Sequence, residues 1–358
     1  MNGQVRIVGA GLLGASIGLA LVGKGVDVIL FDASKASLRL AIDYGAGRAA
    51  ASGDSPSLIV VAVPPDETAD VVADELATWP DALITDVASV KSGILADLRD
   101  AGADTARYLG SHPMAGRERG GPISARADLF LGRPWVICPH AHSTADQHRV
   151  LEDLALDLGA VAVTMSPDEH DASVALVSHV PQIVSSVLAK QLAAAPDSAV
   201  GLTGQGLRDT TRIAASDPTL WVQILGANAP AVSSVLSAYR DDLDAVIAAL
   251  EAPEAQGSRR ALAEAIAGGN AGVARLPGKH GTAKHFSTLV IMVSDVPGEL
   301  ARLLTEIGEL GVNMEDLRLE HSPGAQFGLA EIAVLPEAEK RLVAELEARG
   351  WKIAGENA

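Results

Sequence analysis

A short apolar run, Val5-Arg6-Ile7-Val8, leads into Gly9-Ala10-Gly11-Leu12-Leu13-Gly14 and then into the apolar stretch Ala15 to Val22. Strand, glycine turn and helix in that order leave few folds open. Gly9 permits the tight turn, Gly11 lets the backbone approach a pyrophosphate, and Gly14 lets the helix pack close to the strand. The helix N-terminus offers unpaired N–H groups and the positive end of its dipole to phosphate. A second run, Val26 to Phe31, ends in Asp32, at the offset of an acid that accepts hydrogen bonds from both ribose hydroxyls. Such an aspartate repels a 2′-phosphate, which favours NAD over NADP. Ser34, Lys35 and Arg39 stand nearby and would suit a phosphate instead. Leu12 and Leu13 in the turn, and Val63 and Pro64 at the end of the next run, complete the candidate cofactor contacts.

Ser57 to Val63 and Ala82 to Val87 read as buried parallel strands, with 135–138 and 160–165 supplying further ones. The expected class is α/β, with an N-terminal Rossmann-type doubly wound sheet over 1–166. From Asp168 the pattern changes to long alanine- and leucine-rich helices, so 167–276 is expected to be an all-helical middle domain for substrate binding and dimerisation. Residues 277–285 read as a glycine- and proline-marked linker. Residues 286–358 follow as strand, helix, two strands, helix and strand, the βαββαβ order of a ferredoxin-like sandwich.

Composition narrows the partners. The formal charge of -17 argues against nucleic acid or an anionic membrane, and no continuous apolar run reaches membrane-spanning length. An anionic substrate would be repelled by that overall field, so individual arginines must dominate its site. One cysteine, Cys138, and a start without a secretory signal fit a reducing cytoplasm. The alanine-rich middle helices offer more apolar surface than one copy covers, which predicts a homodimer.

In Gly110-Ser111-His112-Pro113-Met114-Ala115-Gly116 a single histidine sits in what reads as a rigid, glycine-bracketed loop. Imidazole titrates near neutrality, so His112 is the candidate general base beside a hydride-accepting nicotinamide. In Asp86-Val87-Ala88-Ser89-Val90-Lys91, Ser89 leaves a strand end where it either touches nicotinamide and substrate or caps the helix starting near Lys91. In Gly206-Leu207-Arg208-Asp209-Thr210-Thr211-Arg212, two arginines flank a hydroxyl pair. The guanidinium fork binds carboxylates bidentately, and Arg212 is the candidate clamp, with Arg208 as a second. His179 on the first long helix is read either as a packing residue or as a site residue. No cluster calls for a metal.

These motifs, in this order and with Glu118 after the histidine loop, resemble the prephenate dehydrogenases over residues 5 to about 250. The resemblance implies that NAD takes a hydride from the ring carbon bearing the 4-hydroxyl. It further implies that His112 takes the hydroxyl proton, that Ser89 bonds the hydroxyl and that Arg212 holds a carboxylate. Loss of CO2 then aromatises the ring to 4-hydroxyphenylpyruvate. Many relatives have a small hydroxyl residue where this chain has Arg117 and a histidine where it has Gln182. Both positions bear on the three-carbon side chain, a keto acid in prephenate and an amino acid in arogenate. Glu118 suits an ammonium and Arg117 or Arg119 a keto acid, so arogenate stays open as the alternative substrate.

With Ser294-Asp295-Val296-Pro297-Gly298 between its first strand and helix, the last domain resembles an ACT domain. That resemblance implies either tyrosine or phenylalanine as an effector at Asp295, Gly298 and Asn313, or a purely dimer-forming role. A non-catalytic amino-acid sensor on a nucleotide-binding scaffold is the reading of a different class. It would keep the glycine turn and the tail but would not need His112, Ser89 and Arg212 together.

Overall fold

The structure is a computed structural model, and it describes residues 3–116, 120–276, 286–321 and 326–354. Contact density divides the chain into two units, 1–196 with 210–240, and 197–209 with 241–358.

The first unit opens with β1 (Gln4–Val8), α1 (Leu12–Val22), β2 (Val28–Phe31), α2 (Lys35–Asp43), β3 (Arg48–Ala49), β4 (Pro56–Val61), α3 (Pro65–Thr78), β5 (Leu83–Asp86) and α4 (Ser92–Asp100). The five strands form a parallel sheet in the order β3-β2-β1-β4-β5. Because a strand's side chains alternate between faces, Leu58 and Val60 enter one core with Ile7, Leu30 and Ile17. Ile59 and Val61 enter a second core with Val8, Val72 and Ile84. The result is the doubly wound sheet expected, with β3 as an additional short edge strand. Gly14 is required by contact: a Cβ there would lie 1.9 Å from the carbonyl oxygen of Gly9.

Tyr108 bridges Ile84 in parallel and leads into β6 (Gly110–Pro113), which pairs antiparallel with β7 (Pro134–Cys138). After α5 (Ala145–Asp157), β8 (Val161–Thr164) joins β7 in parallel. His112 therefore stands on a strand rather than in the loop that its glycines suggested. Proline and the flanking glycines disguise a four-residue strand whose every residue is buried.

Next come α6 (Pro167–Val174), a π turn over Ala175–His179, and α7 (Val180–Leu192), one continuous 26-residue helix. Contrary to the reading of the sequence, this helix is long and apolar enough to cross a membrane. It buries His170, Asp171, His179 and Gln182 on one side and leaves Leu176, Val177, Val187 and Leu188 exposed. Pro181 explains the π turn: it has no N–H to give, and its ring would clash with the carbonyl four residues back. Further helices are α8 (Asp197–Val200), α9 (Gln205–Thr211), α10 (Pro218–Ala227), α11 (Ala229–Glu251) and α12 (Ser258–Val273). Within the first unit, Ala175, Val180 and Val232 form a small apolar core.

In the second unit, β9 (Ser287–Ser294), α13 (Glu299–Glu309), β10 (Asp316–His321), β11 (Phe327–Val334), α14 (Pro336–Ala348) and β12 (Lys352–Ala354) make an antiparallel sheet ordered β10-β11-β9-β12. Ile291, Ala330 and Ile332 pack against Leu303, Ile307, Leu342 and Leu346 of the two helices. This is the ferredoxin-like arrangement that the element order predicts.

A candidate active site

The nucleotide end is built by contact as well as by pattern. Gly9 has φ +99°, and a Cβ there would meet the Ala62 carbonyl oxygen at 2.4 Å, so the turn needs glycine. At Gly11 a Cβ would meet nothing within 4 Å, which leaves open space before α1. No side chain caps that helix and no acid stands in its first turn, so its amides remain for phosphate oxygens. Asp32 accepts from the Ala10 amide at 2.7 Å through one oxygen and from the Ser34 amide at 2.7 Å through the other. Both bonds fix the carboxylate while leaving lone pairs on each oxygen for a ribose diol. Val63 and Pro64 follow the end of β4, as the sheet requires of crevice residues. The residues fit a dinucleotide.

His112 is buried, with 8% of its surface exposed. Its Nδ1 lies 2.8 Å from Nε2 of His170, which is fully buried, and Nδ1 of His170 lies 2.7 Å from Oδ1 of Asp171. Direction follows from the end of the chain. Burial pushes the Asp171 carboxyl upward, but the bonds from His170 and from the Ser92 and Lys91 amides outweigh it and hold it below its ordinary value. An ionised carboxylate only accepts, so His170 donates through Nδ1 and its Nε2 accepts the Nδ1–H of His112. That assignment leaves the lone pair of His112 on Nε2. Burial first, and then the neighbouring His170, Lys91 and His179, push the His112 imidazole well below its usual pKa, so it is a neutral acceptor at neutral pH.

Ser89 is half-buried and makes no side-chain hydrogen bond among the described residues. It does not cap α4: the Lys91 and Ser92 amides donate to Asp171 at 2.9 and 2.8 Å. Asp171 thus takes the capping role that the sequence offered to Ser89, whose hydroxyl is left over for a ligand. Ser92 Oγ also donates to Asp168 at 2.7 Å.

His179 is 1% exposed. Asn228 Nδ2 donates to the main-chain carbonyl of Asp171 at 2.8 Å and to His179 Nδ1 at 3.1 Å, which puts the His179 proton on Nε2. Burial pushes His179 down to about 4, with Asp171 opposing and His170 adding to the shift. His170 and His179 are nine residues apart, opposite faces of a regular helix at about 100° per residue, and the wider π turn rotates them toward each other.

Gln182 is buried, donating to Ser186 at 3.2 Å and accepting from Ser216 at 3.4 Å. Arg212 is exposed in a 3-10 turn, Arg212–Ala214, that packs on α7, the helix of Gln182. Arg208 lies exposed on α9 in the other unit. Arg117 and Glu118 fall outside the described residues. No group of three or more His, Cys, Asp or Glu among the described residues has metal-binding geometry. His170, Asp171 and Asn228 were not singled out from the sequence. The only local signal is the His-Asp pair behind the Ser166–Glu169 capping box.

Family models agree with this architecture. Residues 17–164 match the nucleotide-binding domain of prephenate dehydrogenase, and residues 166–266 match its dimerization domain. The chain is 35% identical to the probable prephenate dehydrogenase NovF of Streptomyces niveus over 96% of its own length and 98% of that protein. This chain belongs to the prephenate dehydrogenase family. The arogenate dehydrogenase of Synechocystis superposes with a TM-score of 0.62 at 26% identity, covering 75% of this chain and 99% of that one. The A. aeolicus prephenate dehydrogenase, solved with hydroxyphenyl propionate and NAD+, shares the fold with a TM-score of 0.67 at 24% identity, covering 76% and 99%. Residues 17–164 are accordingly the nucleotide-binding domain of this family.

Proposed function

We propose that the protein catalyses the NAD-dependent oxidative decarboxylation of prephenate to 4-hydroxyphenylpyruvate. The observation that carries this reading is the buried Asp171–His170–His112 chain, which leaves one basic nitrogen, His112 Nε2, in a nucleotide-binding domain that also carries the unbonded Ser89 hydroxyl. NAD, when bound, supplies the acceptor for the hydride from C4. Gly9, Gly11, Leu12, Leu13, Gly14, Asp32, Val63 and Pro64 would hold it.

The chain's own residues manage the proton. Ser89 bonds the 4-hydroxyl and aligns it with His112, whose Nε2 takes the proton as the C4–O bond becomes a carbonyl. A positioned base of this kind contributes about 10²–10⁴-fold. As the imidazolium forms, its Nδ1–H stays on His170, and Asp171 stabilises the charge from the far end. The C1–carboxylate bond then breaks, CO2 leaves, and the bonding pair completes the aromatic ring. His112 returns its proton to the phenolate oxygen, so the base is regenerated and the atoms balance.

Arg212 is the proposed carboxylate clamp, with Arg208, Arg117, Glu118, His179 and Gln182 as the remaining substrate contacts. Arogenate is the alternative substrate, favoured by the neutral Gln182 and by Glu118. Measuring NADH formation with prephenate and arogenate offered separately, each with NAD and NADP, decides among these. Turnover of prephenate with NAD is expected; turnover of arogenate alone would replace it, and turnover of neither would reopen the sensor reading.

The matched dimerization domain supports a homodimer, to be checked by light scattering. In the last domain, Gly298 (φ +95°) starts α13 and Asn313 donates to Glu315 at 2.9 Å. Tyrosine or phenylalanine at Asp295, Gly298 and Asn313 is the proposed effector, and absence of binding in calorimetry would remove it.

A further inference from the structure

Beneath β6 lies an ion pair that the reaction does not use. Lys91 is 1% exposed and Asp86 0%; the Lys91 ammonium meets Asp86 Oδ1, and the Tyr108 hydroxyl donates to Asp86 Oδ2 at 2.7 Å. The cluster fills the space under Gly110, where a Cβ would lie 2.8 Å from the Tyr108 hydroxyl, 3.2 Å from Asp86 and 3.2 Å from Lys91. Gly110 is two residues from His112 on the same strand.

Taking two charges out of water costs as much as or more than their attraction returns, and apolar side chains of the same volume often serve stability equally well. Stability is therefore a poor reason to keep this pair. Its connections supply a better one. Asp86 Oδ1 also accepts the Ala88 amide at 2.9 Å, while the Lys91 amide donates to Asp171 at 2.9 Å. The turn 87–90, with Ser89 on it, is thus tied at one end to the buried pair and at the other to the carboxylate that orients His170 and His112. Lys91 belongs to both ties, one through its side chain and the other through its main chain.

We infer that Lys91 is a positioning residue: held by Asp86, it fixes the turn that carries Ser89 relative to the His112–His170–Asp171 chain. This rests on the proposed function, because it assigns Ser89 and His112 to one substrate hydroxyl. The charged and titratable groups around Lys91 and His112 are Asp86 on β5, Tyr108 before β6, Cys138 on β7, and His170, Asp171 and His179 on the long helix. Among the described residues, Lys91 is the fixed cation that disfavours protonation of His112, so its removal eases that protonation.

The test uses the full-length protein, Lys91→Met, and the charge-neutral pair D86N/K91M, in which no buried charge is orphaned. In the folded variants kcat should fall about 10–100-fold, the order that misplacing reacting groups by a fraction of an ångström to an ångström produces, with KM and NAD affinity near the parent's. Amides of 87–92 should exchange with deuterium at least about tenfold faster, as expected where a local opening becomes easier. The His112 imidazole, followed by NMR, should titrate at higher pH in Lys91→Met. Folded variants with parental kcat, exchange and titration would overturn the inference. So would failure of both variants to fold, since the pair would then be a stability element. Exchange and titration do not require turnover, so a parent inactive on prephenate defeats the functional reading alone.

Discussion

Replacing Asp171 with asparagine separates charge from geometry at the end of the histidine chain. Asparagine caps helices about as well as aspartate, so α4 keeps its start. One amide orientation retains the oxygen that serves Lys91 and His170 and loses only the Ser92 bond, a cost of about 1 kcal/mol. The reverse orientation breaks two bonds and is disfavoured. The variant should therefore fold with His170 in its original tautomer and without the negative charge. Hydrogen bonds of 2.7 and 2.8 Å with an imidazole between them put that charge at most about 8 Å from His112 Nδ1. At an effective dielectric constant of about 20, this is worth about 2 kcal/mol to an imidazolium, or about 30-fold in rate. Steady-state NADH formation should show kcat down by that order, parental NAD binding, and an acid limb of kcat/KM displaced to lower pH, because the protonated base has lost its stabiliser. A folded variant within about twofold of the parent would refute the relay. A loss of about 10⁴, the size seen when a triad asparagine inverts a histidine tautomer, would refute the assigned amide orientation.

Other expectations follow from the same contacts. His112→Asn should abolish turnover while NAD still quenches intrinsic fluorescence with parental affinity; residual activity above about 1% would remove His112 as the base, given the 10²–10⁴-fold that a base supplies. Ser89→Ala should lower kcat about tenfold or more without changing melting, since its hydroxyl has no structural bond to lose. Gly14→Ala places a Cβ 1.9 Å from the Gly9 carbonyl oxygen, so α1 must move. A destabilisation of about 1–3 kcal/mol in urea melts, with weakened NAD binding by calorimetry, is expected.

The local rules of the sequence reached the sheet and the nucleotide turn because those elements depend on neighbours in the chain. Alternation and apolar runs located β1, β2, β4, β5, β7 and β8, and the order of elements located the ferredoxin-like tail. His112 was found through its context but assigned to a loop, because the pairing that makes β6 a strand comes from β7, more than twenty residues on. His170, Asp171 and Asn228 act through contacts with residues 58, 80 and 49–57 positions away, which no local pattern announces. Arg6 shows the same limit: a charge in a buried strand looks anomalous until Glu75, 69 residues later, meets it with two bonds of 2.9 Å.

Lys91 and Asp171 pull His112 in opposite directions, and the environment of the base leaves a trace in folding as well as in rate. The folded-state pKa values of His112 and His179 both lie below the unfolded value of about 6.5. As pH falls through that value the unfolded chain takes up protons that the folded protein refuses, so stability is full above it and declines below. For His179 the window runs from about 6.5 to about 4. At 1.36 kcal/mol per unit the limit is about 3 kcal/mol, and allowing for partial solvent screening leaves about 2. His179→Gln keeps an acceptor for Asn228 but does not titrate, so its melting temperature should fall less steeply than the parent's between pH 7 and about 4.5, inside that window. Parallel pH–melting curves for the two proteins would mean that His179 is solvated enough to protonate in place. Its Nδ1 would then donate rather than accept, so the bond from Asn228 would be lost while Nε2–H remained a donor.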